Sequence, residues 1–114
     1  MGVSAPPIAV DLDALGRVGL ALADETRRRI LVKLIDGPAY PSDLADELGS
    51  TRANISNHLT CLRGCGLVIA QPEGRRVRYE LVDRRLGRAL RELLGLVLVP
   101  DPATCPAAAE DGCC

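Results

Sequence analysis

Residues 51–63 read TRANISNHLTCLR, a mostly polar segment in which apolar residues recur every three or four positions. On a helix of 3.6 residues per turn, Ile55, Leu59 and Leu62 fall on one side and form a stripe that can face a core. Thr51 belongs to the residue types that cap helix N-termini. The pattern predicts a helix that begins after Thr51 and buries this stripe.

The other side of the predicted helix carries small or hydrogen-bonding side chains. Side chains of this kind can approach base edges in the major groove of DNA. Arg52 lies in the first turn, where it can meet phosphates near the helix N-terminus. His58 fits a position at the edge of the core or a DNA contact better than a ligand role. The residues predicted to contact DNA in this segment are Thr51, Arg52, Ala53, Asn54, Ser56, Asn57 and His58.

The elements on either side complete a DNA-binding pattern. A short helix opened by Pro41 and ended by Gly49 precedes the polar helix, and two helices joined by a tight turn form a helix-turn-helix. Downstream, strand-like runs at 67–71 and 77–82 flank residues 72–74, which read Pro-Glu-Gly. The downstream segment therefore predicts a β-hairpin, the wing.

Positive charge is concentrated on the same part of the chain. Arg75, Arg76 and Arg78 make the predicted hairpin basic, which suits contacts with phosphates or the minor groove. Residues 50–80 contain five arginines and two glutamates, although the formal net charge of the chain is −1. A local basic patch on an acidic protein indicates a DNA-binding face, so double-stranded DNA is the expected partner.

Three further helices are predicted from apolar residues at helical spacing. The first spans residues 12–23, and the second is capped by Asp24 and stopped by residues 36–38. The last helix is capped by Asp83, and its apolar stripe comprises Leu86, Leu90, Leu93, Leu94, Val97 and Leu98. The fold class is therefore mainly α (α+β), a winged helix-turn-helix with the element order ααααββα.

The end of the last predicted helix is unusually apolar. The run at 93–99 predicts a seam buried between two copies of the chain, and hence a homodimer. Residues 1–10 are expected to be a flexible N-terminal arm and residues 11–99 a winged-helix DNA-binding and dimerisation domain. Residues 100–114 are expected to be a flexible, cysteine-containing C-terminal tail.

Composition restricts the core, the compartment and the cysteine chemistry. The chain has 114 residues with no Trp, no Phe and two Tyr, so its core must be aliphatic. It has neither an apolar run long enough to span a membrane nor a signal-peptide pattern, so a cytoplasmic protein without a membrane partner is expected. In a reducing compartment its five cysteines are expected to be ligands or reactive thiols rather than disulfides.

Two of the cysteines lie on the predicted DNA-reading helix. Cys61 and Cys65 are four residues apart, so their side chains are neighbours and two thiolates can share one soft cation. A single cysteine here would most simply be a small buried apolar residue. The pair, together with further thiols in the tail, favours metal ligation.

Residues 51–68 resemble the recognition helix and following strand of the ArsR/SmtB metalloregulators. Residues 23–31, which read ADETRRRIL, resemble a helix near the start of those proteins, and the similarity runs from about residue 12 to residue 99. The resemblance implies a winged-helix homodimer whose metal-free form binds a palindromic operator. It also implies that a bound ligand releases the DNA and derepresses resistance or efflux genes.

The resemblance further implies which ligand is sensed. Residues 38–48 lack the Cys-x-Cys of arsenic and cadmium sensors with a third-helix site, and residues 83–99 lack the histidines of zinc sensors with a last-helix site. Residues 61–66, which read CLRGCG, are similar to the cadmium- and lead-sensing branch. That branch adds a cysteine from the C-terminal tail, which Cys105 matches. The implied site is Cys61, Cys65 and Cys105, with Cd(II) or Pb(II) as effector.

Other functions stay open at the level of sequence. Cys105, Cys113 and Cys114 form an alternative or additional trithiolate set that suits As(III) or Sb(III). A thiol redox-sensing repressor on the same fold is the strongest rival to a metal sensor. An enzyme is not expected, because His58 is the only histidine and neither a Gly-rich phosphate loop nor a carboxylate pair accompanies it. No organic cofactor is expected.

Overall fold

The computed structural model describes residues 11–104 of the chain. The elements are α1 (Leu12–Leu22), α2 (Glu25–Ile35), α3 (Pro41–Leu48), α4 (Arg52–Gly64), β1 (Val68–Glu73), β2 (Arg76–Leu81) and α5 (Arg84–Leu94). This order confirms the predicted winged helix-turn-helix. The predicted arm at 1–10 and the tail cysteines Cys105, Cys113 and Cys114 lie outside the described residues.

The predicted N-caps of three helices are confirmed. The side chains of Asp24, Thr51 and Asp83 each accept a hydrogen bond from a backbone N–H two or three residues further on, at 3.0, 3.0 and 2.7 Å. Each bond satisfies one of the four N–H groups that a helix leaves without a partner at its N-terminus. The capping residues therefore determine where α2, α4 and α5 begin.

The turn between α3 and α4 depends on Gly49. This residue has a φ of 64°, a left-handed conformation that glycine adopts without a steric penalty. The backbone N–H of Ser50 then donates to the carbonyl of Ala45 at 3.0 Å, which closes the end of α3. The two helices are thereby held in the predicted helix-turn-helix.

The wing is a two-stranded antiparallel hairpin in which Glu73 pairs with Arg76. Gly74 and Arg75 form its turn, and Gly74 has a φ of 61°, as the first position of a tight hairpin turn often requires. The prediction that residues 72–74 separate the strands was wrong in detail, because Pro72 and Glu73 belong to β1. Each strand of a two-stranded ribbon has an open edge, where a residue without an N–H is tolerated.

The core is aliphatic, as the composition predicted. It is built around α2, which contacts α1, α3, α4, α5 and β2. Tyr79 of the wing exchanges two backbone hydrogen bonds with Ala39, at 2.8 and 2.9 Å, which ties β2 to the segment before α3. The buried residues are Ala21, Ile30, Leu31, Leu34, Leu44, Ala45, Ile55, Leu59, Leu62, Leu67, Val68 and Leu90.

The predicted extent of the last helix was wrong. α5 ends at Leu94 with Gly95 as its C-cap, so Val97 and Leu98 of the predicted stripe lie beyond the helix. Glycine is a poor helix former, the β-branched residues Val97 and Val99 add little helix propensity, and Pro100 follows. Val97, Leu98 and Val99 are 88%, 79% and 85% exposed. Across residues 11–104, no helix is both long and apolar enough to cross a membrane.

Candidate DNA-binding and metal-binding site

α4 is fixed against the core by one side only. Ile55, Leu59 and Leu62 are completely buried, which is the stripe that the sequence predicted. Burying three branched aliphatic side chains stabilises this orientation by several kcal/mol, at about 1.5–3 kcal/mol for each side chain. The opposite face is exposed and carries Arg52, Ala53, Ser56, Asn57 and Thr60. A polar helix face of this kind is free to enter a major groove.

The start of α4 is held by its own polar side chains. The hydroxyl of Thr51 accepts a hydrogen bond from the backbone N–H of Asn54 at 3.0 Å. The side-chain amide of Asn54 donates to the hydroxyl of Ser50 at 2.8 Å. Thr51 and Asn54 therefore already have a role in forming the helix start, and their DNA contacts stay a prediction.

His58 lies on α4, and its side chain is close to the start of α2. Its side chain is 17% exposed, and its Nε2 atom lies 3.8 Å from a carboxylate oxygen of Asp24. The backbone N–H of Arg27 holds the pKa of Asp24 below its usual value, and the charges of His58 and Arg27 act in the same direction. Of the two roles that the sequence left open, this contact supports the core-edge position over a DNA contact.

Arg76 is held in place at the tip of the wing, directly after the hairpin turn. Its guanidinium group lies over the ring of Tyr40, 3.5 Å from the centroid, and one nitrogen is 3.1 Å from a carboxylate oxygen of Asp43. The hydroxyl of Tyr40 donates a 2.6 Å hydrogen bond to Glu73, and this bond raises the pKa of Tyr40 above its usual value. Tyr40 and Asp43 were not singled out from the sequence, because each contacts the wing across 33 residues of chain.

The other two wing arginines differ from each other. Arg78 donates to the side-chain carbonyl of Gln71 at 2.9 Å and lies 3.5 Å from the carboxylate of Glu73. Arg75 is exposed in the hairpin turn, and it forms neither a side-chain hydrogen bond nor an ion pair with any residue from 11 to 104. Arg75 is therefore the wing arginine whose charge is most available to a phosphate.

The candidate metal ligands lie at the C-terminal end of α4. Cys61 is in the last turn of the helix and Cys65 is its C-cap, joined by a 2.9 Å bond from the N–H of Cys65 to the carbonyl of Cys61. Both thiols are free and half-buried, and Cys65 packs against the core. Two thiols one helical turn apart and open to solvent fit a soft metal ion.

The backbone after Cys65 turns sharply. Gly66 has a φ of 85°, its N–H donates to the carbonyl of Arg63 at 3.0 Å, and the N–H of Leu67 donates to the carbonyl of Leu62 at 3.0 Å. These two bonds form a Schellman motif, which ends a helix on a left-handed glycine. The carbonyl of Cys65 instead accepts a hydrogen bond from Nε of Arg17 in α1, at 3.1 Å. No local sequence pattern indicates this contact, which joins residues 48 positions apart.

Residues 11–104 include only two of the predicted metal ligands. Between residues 11 and 104, no group of three or more His, Cys, Asp or Glu side chains is close enough to hold one ion. Cys61 and Cys65 therefore provide two thiols of the predicted set. The third predicted ligand, Cys105, and the alternative set with Cys113 and Cys114 fall outside the described part of the chain.

A winged helix-turn-helix with an exposed polar recognition helix and a basic wing defines a DNA-binding regulator. The profile of the family described as "Bacterial regulatory protein, arsR family" matches residues 24–70. The HTH-type transcriptional regulator CmtR of Mycobacterium tuberculosis is 64% identical over 88 residues, which cover 77% of this chain and 75% of CmtR. The chain belongs to the ArsR family, and it is a transcriptional regulator rather than an enzyme.

Solved structures give the same assignment. The NMR structure of the cadmium metal-sensor CMTR from Mycobacterium tuberculosis matches with a TM-score of 0.62 and 63% identity, covering 75% of this chain and 90% of that one. The homodimeric winged helix-turn-helix domain of Mb0332 from Mycobacterium bovis matches with a TM-score of 0.69 and 32% identity, covering 73% and 77%. Both identities are high enough for the matches to support the family as well as the fold.

Proposed function

We propose that this protein is a metal-responsive transcriptional repressor. The metal-free homodimer binds double-stranded operator DNA through α4 and the wing. A thiophilic metal ion bound by Cys61, Cys65 and Cys105 releases the DNA and derepresses resistance or efflux genes. The observation that carries the proposal is that Cys61 and Cys65 lie in the last turn and at the C-cap of the helix that exposes Ser56 and Asn57.

The chemistry of the two thiols explains how an ion could act on DNA binding. Soft ions bind thiolates, so ligation removes the thiol protons and fixes both side chains. The ion lowers operator affinity only if it binds the DNA-free form more tightly than the DNA-bound form. A tenfold loss of operator affinity requires about 1.4 kcal/mol of coupling, which is within the range of known allosteric proteins.

The identity of the ion is proposed from the relatives and the cysteine pattern. The similarity to a cadmium sensor supports Cd(II), with Pb(II) as the second candidate. The additional thiols of Cys113 and Cys114 support As(III) or Sb(III) as alternative effectors at a second site with Cys105. These four ions form the panel for the operator-release experiments.

The dimer is proposed from exposed apolar side chains on α1 and at the end of α5. A soluble monomer rarely exposes so many large aliphatic residues on neighbouring elements. The exposed residues are Leu12, Leu15, Leu20, Leu93, Leu94, Leu96, Val97, Leu98 and Val99. Residues 11–99 would then act as one DNA-binding and dimerisation domain. Sedimentation of a monomer at micromolar concentration would contradict this arrangement and the two-fold symmetry that a palindromic operator requires.

Metal titration of the reduced protein tests the proposed site. Ultraviolet thiolate-to-metal absorption should saturate at one Cd(II) per protomer, and Cys61→Ser or Cys65→Ser should remove most of that signal. The paired change Cys113→Ser with Cys114→Ser is the matched control and should leave the Cd(II) signal intact. Loss of operator binding in peroxide without stoichiometric metal binding would favour the redox-sensing repressor instead.

A further inference from the structure

Arg17 joins α1 to the end of the recognition helix. Its Nε atom donates a 3.1 Å hydrogen bond to the carbonyl of Cys65, across 48 residues of chain. The accepting carbonyl belongs to a residue that the proposed function assigns to the metal. The contact therefore places the exposed guanidinium group of Arg17 on the backbone carbonyl that links Cys65 to Gly66.

The carbonyl of Cys65 accepts its hydrogen bond from outside its helix. A helix leaves its last four carbonyls without partners inside the helix. In the Schellman motif, the N–H of Gly66 donates to the carbonyl of Arg63 and the N–H of Leu67 donates to the carbonyl of Leu62. The motif does not supply a donor for the carbonyl of Cys65. Arg17 donates to this group, and a guanidinium is also the favourable charge at the negative end of a helix dipole.

α1 is connected to the rest of the protein by other arginines as well. Arg27 of α2 donates to the carbonyl of Ala21 at 3.2 Å, and Arg28 donates to that of Leu22 at 2.9 Å. These two bonds hold the C-terminal end of α1 to α2. Arg17 instead holds the middle of α1 to the end of α4. The outer face of the same helix exposes Leu12 and Leu15, which belong to the proposed dimer surface.

We propose that Arg17 is a positioning residue that transmits the state of the cysteine site to the dimer surface. The inference rests on the proposed metal response. An ion that joins Cys61 and Cys65 fixes the last turn of α4 and, with it, the carbonyl of Cys65. Arg17 couples that carbonyl to α1, and α1 helps set how the two copies are spaced. The spacing decides whether both recognition helices reach successive major grooves.

Three variants test the coupling. Arg17→Ala removes the donor, Arg17→Lys keeps a cation that can donate, and Arg29→Ala removes an exposed arginine whose ion-pair partner is Glu25, within α2. For each variant, Cd(II) binding is followed by ultraviolet absorption. Operator affinity is measured by fluorescence anisotropy with and without Cd(II), and for the parent also with Pb(II), As(III) and Sb(III). We expect Arg17→Ala to keep Cd(II) binding and metal-free operator binding within about threefold of the parent.

We expect Arg17→Ala to bind Cd(II) as the parent does but to be released less from the operator. Cd(II) should lower the operator affinity of the parent and of Arg29→Ala by the same factor, of tenfold or more. For Arg17→Ala, the factor by which Cd(II) lowers operator affinity should be at least five times smaller than for the parent. Arg17→Lys should lie between the two.

Equal release in Arg17→Ala and the parent overturns the inference but leaves the proposed function standing, because Cd(II) still releases the parent from the operator. A loss of Cd(II) binding or of metal-free operator binding in Arg17→Ala also overturns it, since the role is then structural. No release of the parent by any ion of the panel overturns both.

Discussion

The guanidinium group of Arg76 lies 3.5 Å from the ring centroid of Tyr40 and binds the carboxylate of Asp43. Both partners lie at the start of the first helix of the helix-turn-helix, whereas Arg76 is the first residue of β2. The contact holds the wing against α3 before any DNA is present. Arg76 therefore orients the wing, and Arg75 in the turn remains the charge most available for a phosphate.

Arg75→Ala should weaken operator binding on all sequences alike. A phosphate contact carries no base information, and its loss should reduce the slope of log affinity against log salt by about one unit. Fluorescence anisotropy from low to physiological salt, with an operator and with a scrambled duplex, measures both effects. Arg29→Ala on α2 is the control. A slope unchanged from that of the parent would show that the turn of the wing does not contact DNA.

Arg76→Ala should act through the position of the wing. We expect a lower urea midpoint than in the parent, because the cation–π contact and the Asp43 ion pair are lost together. Tyr40→Leu should also lower the midpoint, and the double variant should lose less than the sum of the two single changes. Additive losses would mean that the two residues do not stabilise the fold through each other.

Asn57→Ala should relax base preference rather than abolish binding. Asn57 is exposed on α4, and a side-chain amide that reads a base is worth about 1–3 kcal/mol of discrimination. Affinities for the operator and for a set of single-base variants should therefore converge at the contacted position. Arg29→Ala on α2, outside the recognition helix, is the control. An unchanged ranking of the duplexes in Asn57→Ala would place base reading elsewhere.

Asp24 should make stability depend on pH. Its pKa is lowered in the folded state, chiefly by the backbone N–H of Arg27, so its contribution is complete above the unfolded pKa and is lost as pH falls through the folded pKa. Asp24→Ala should cost about 1 kcal/mol at pH 7, as N-cap removal usually does. In urea denaturation this difference from the parent should shrink below pH 4. A difference that stays constant below pH 4 would contradict this role of Asp24.

The local signals in the sequence were sufficient for the element order. Capping residues such as Asp24 and Thr51 act on their nearest neighbours, so their effect is visible in a short window. The stripe of α4 was predicted for the same reason, since side-chain spacing alone determines which face is buried. The end of α5 was not predicted correctly, because the apolar run at 93–99 indicates burial but does not indicate a helix. Gly95 ends the helix within this apolar run.

The contacts that connect elements could not be predicted in this way. The clamp between Arg76 and Tyr40 and the bond from Arg17 to Cys65 depend on tertiary packing, and an exposed arginine has no spacing pattern that marks its partner. The cysteine pair could be predicted from the sequence, because Cys61 and Cys65 are only four residues apart. The tertiary contacts around them, which determine how an ion would affect the rest of the protein, became visible only in the structure.

The central claim is that the cysteines of the recognition helix control operator binding. It is tested by operator anisotropy with cadmium, lead, arsenite and antimonite on the parent and on cysteine variants. Cys61→Ser and Cys65→Ser should bind operator like the parent but resist release by cadmium or lead, and Cys105→Ser should do the same or respond more weakly. Cys113→Ser with Cys114→Ser should keep the cadmium response and lose only a metalloid response. Release of Cys61→Ser and Cys65→Ser by every ion, with loss of release in the tail variants, would contradict the claim and place the sensor in the tail.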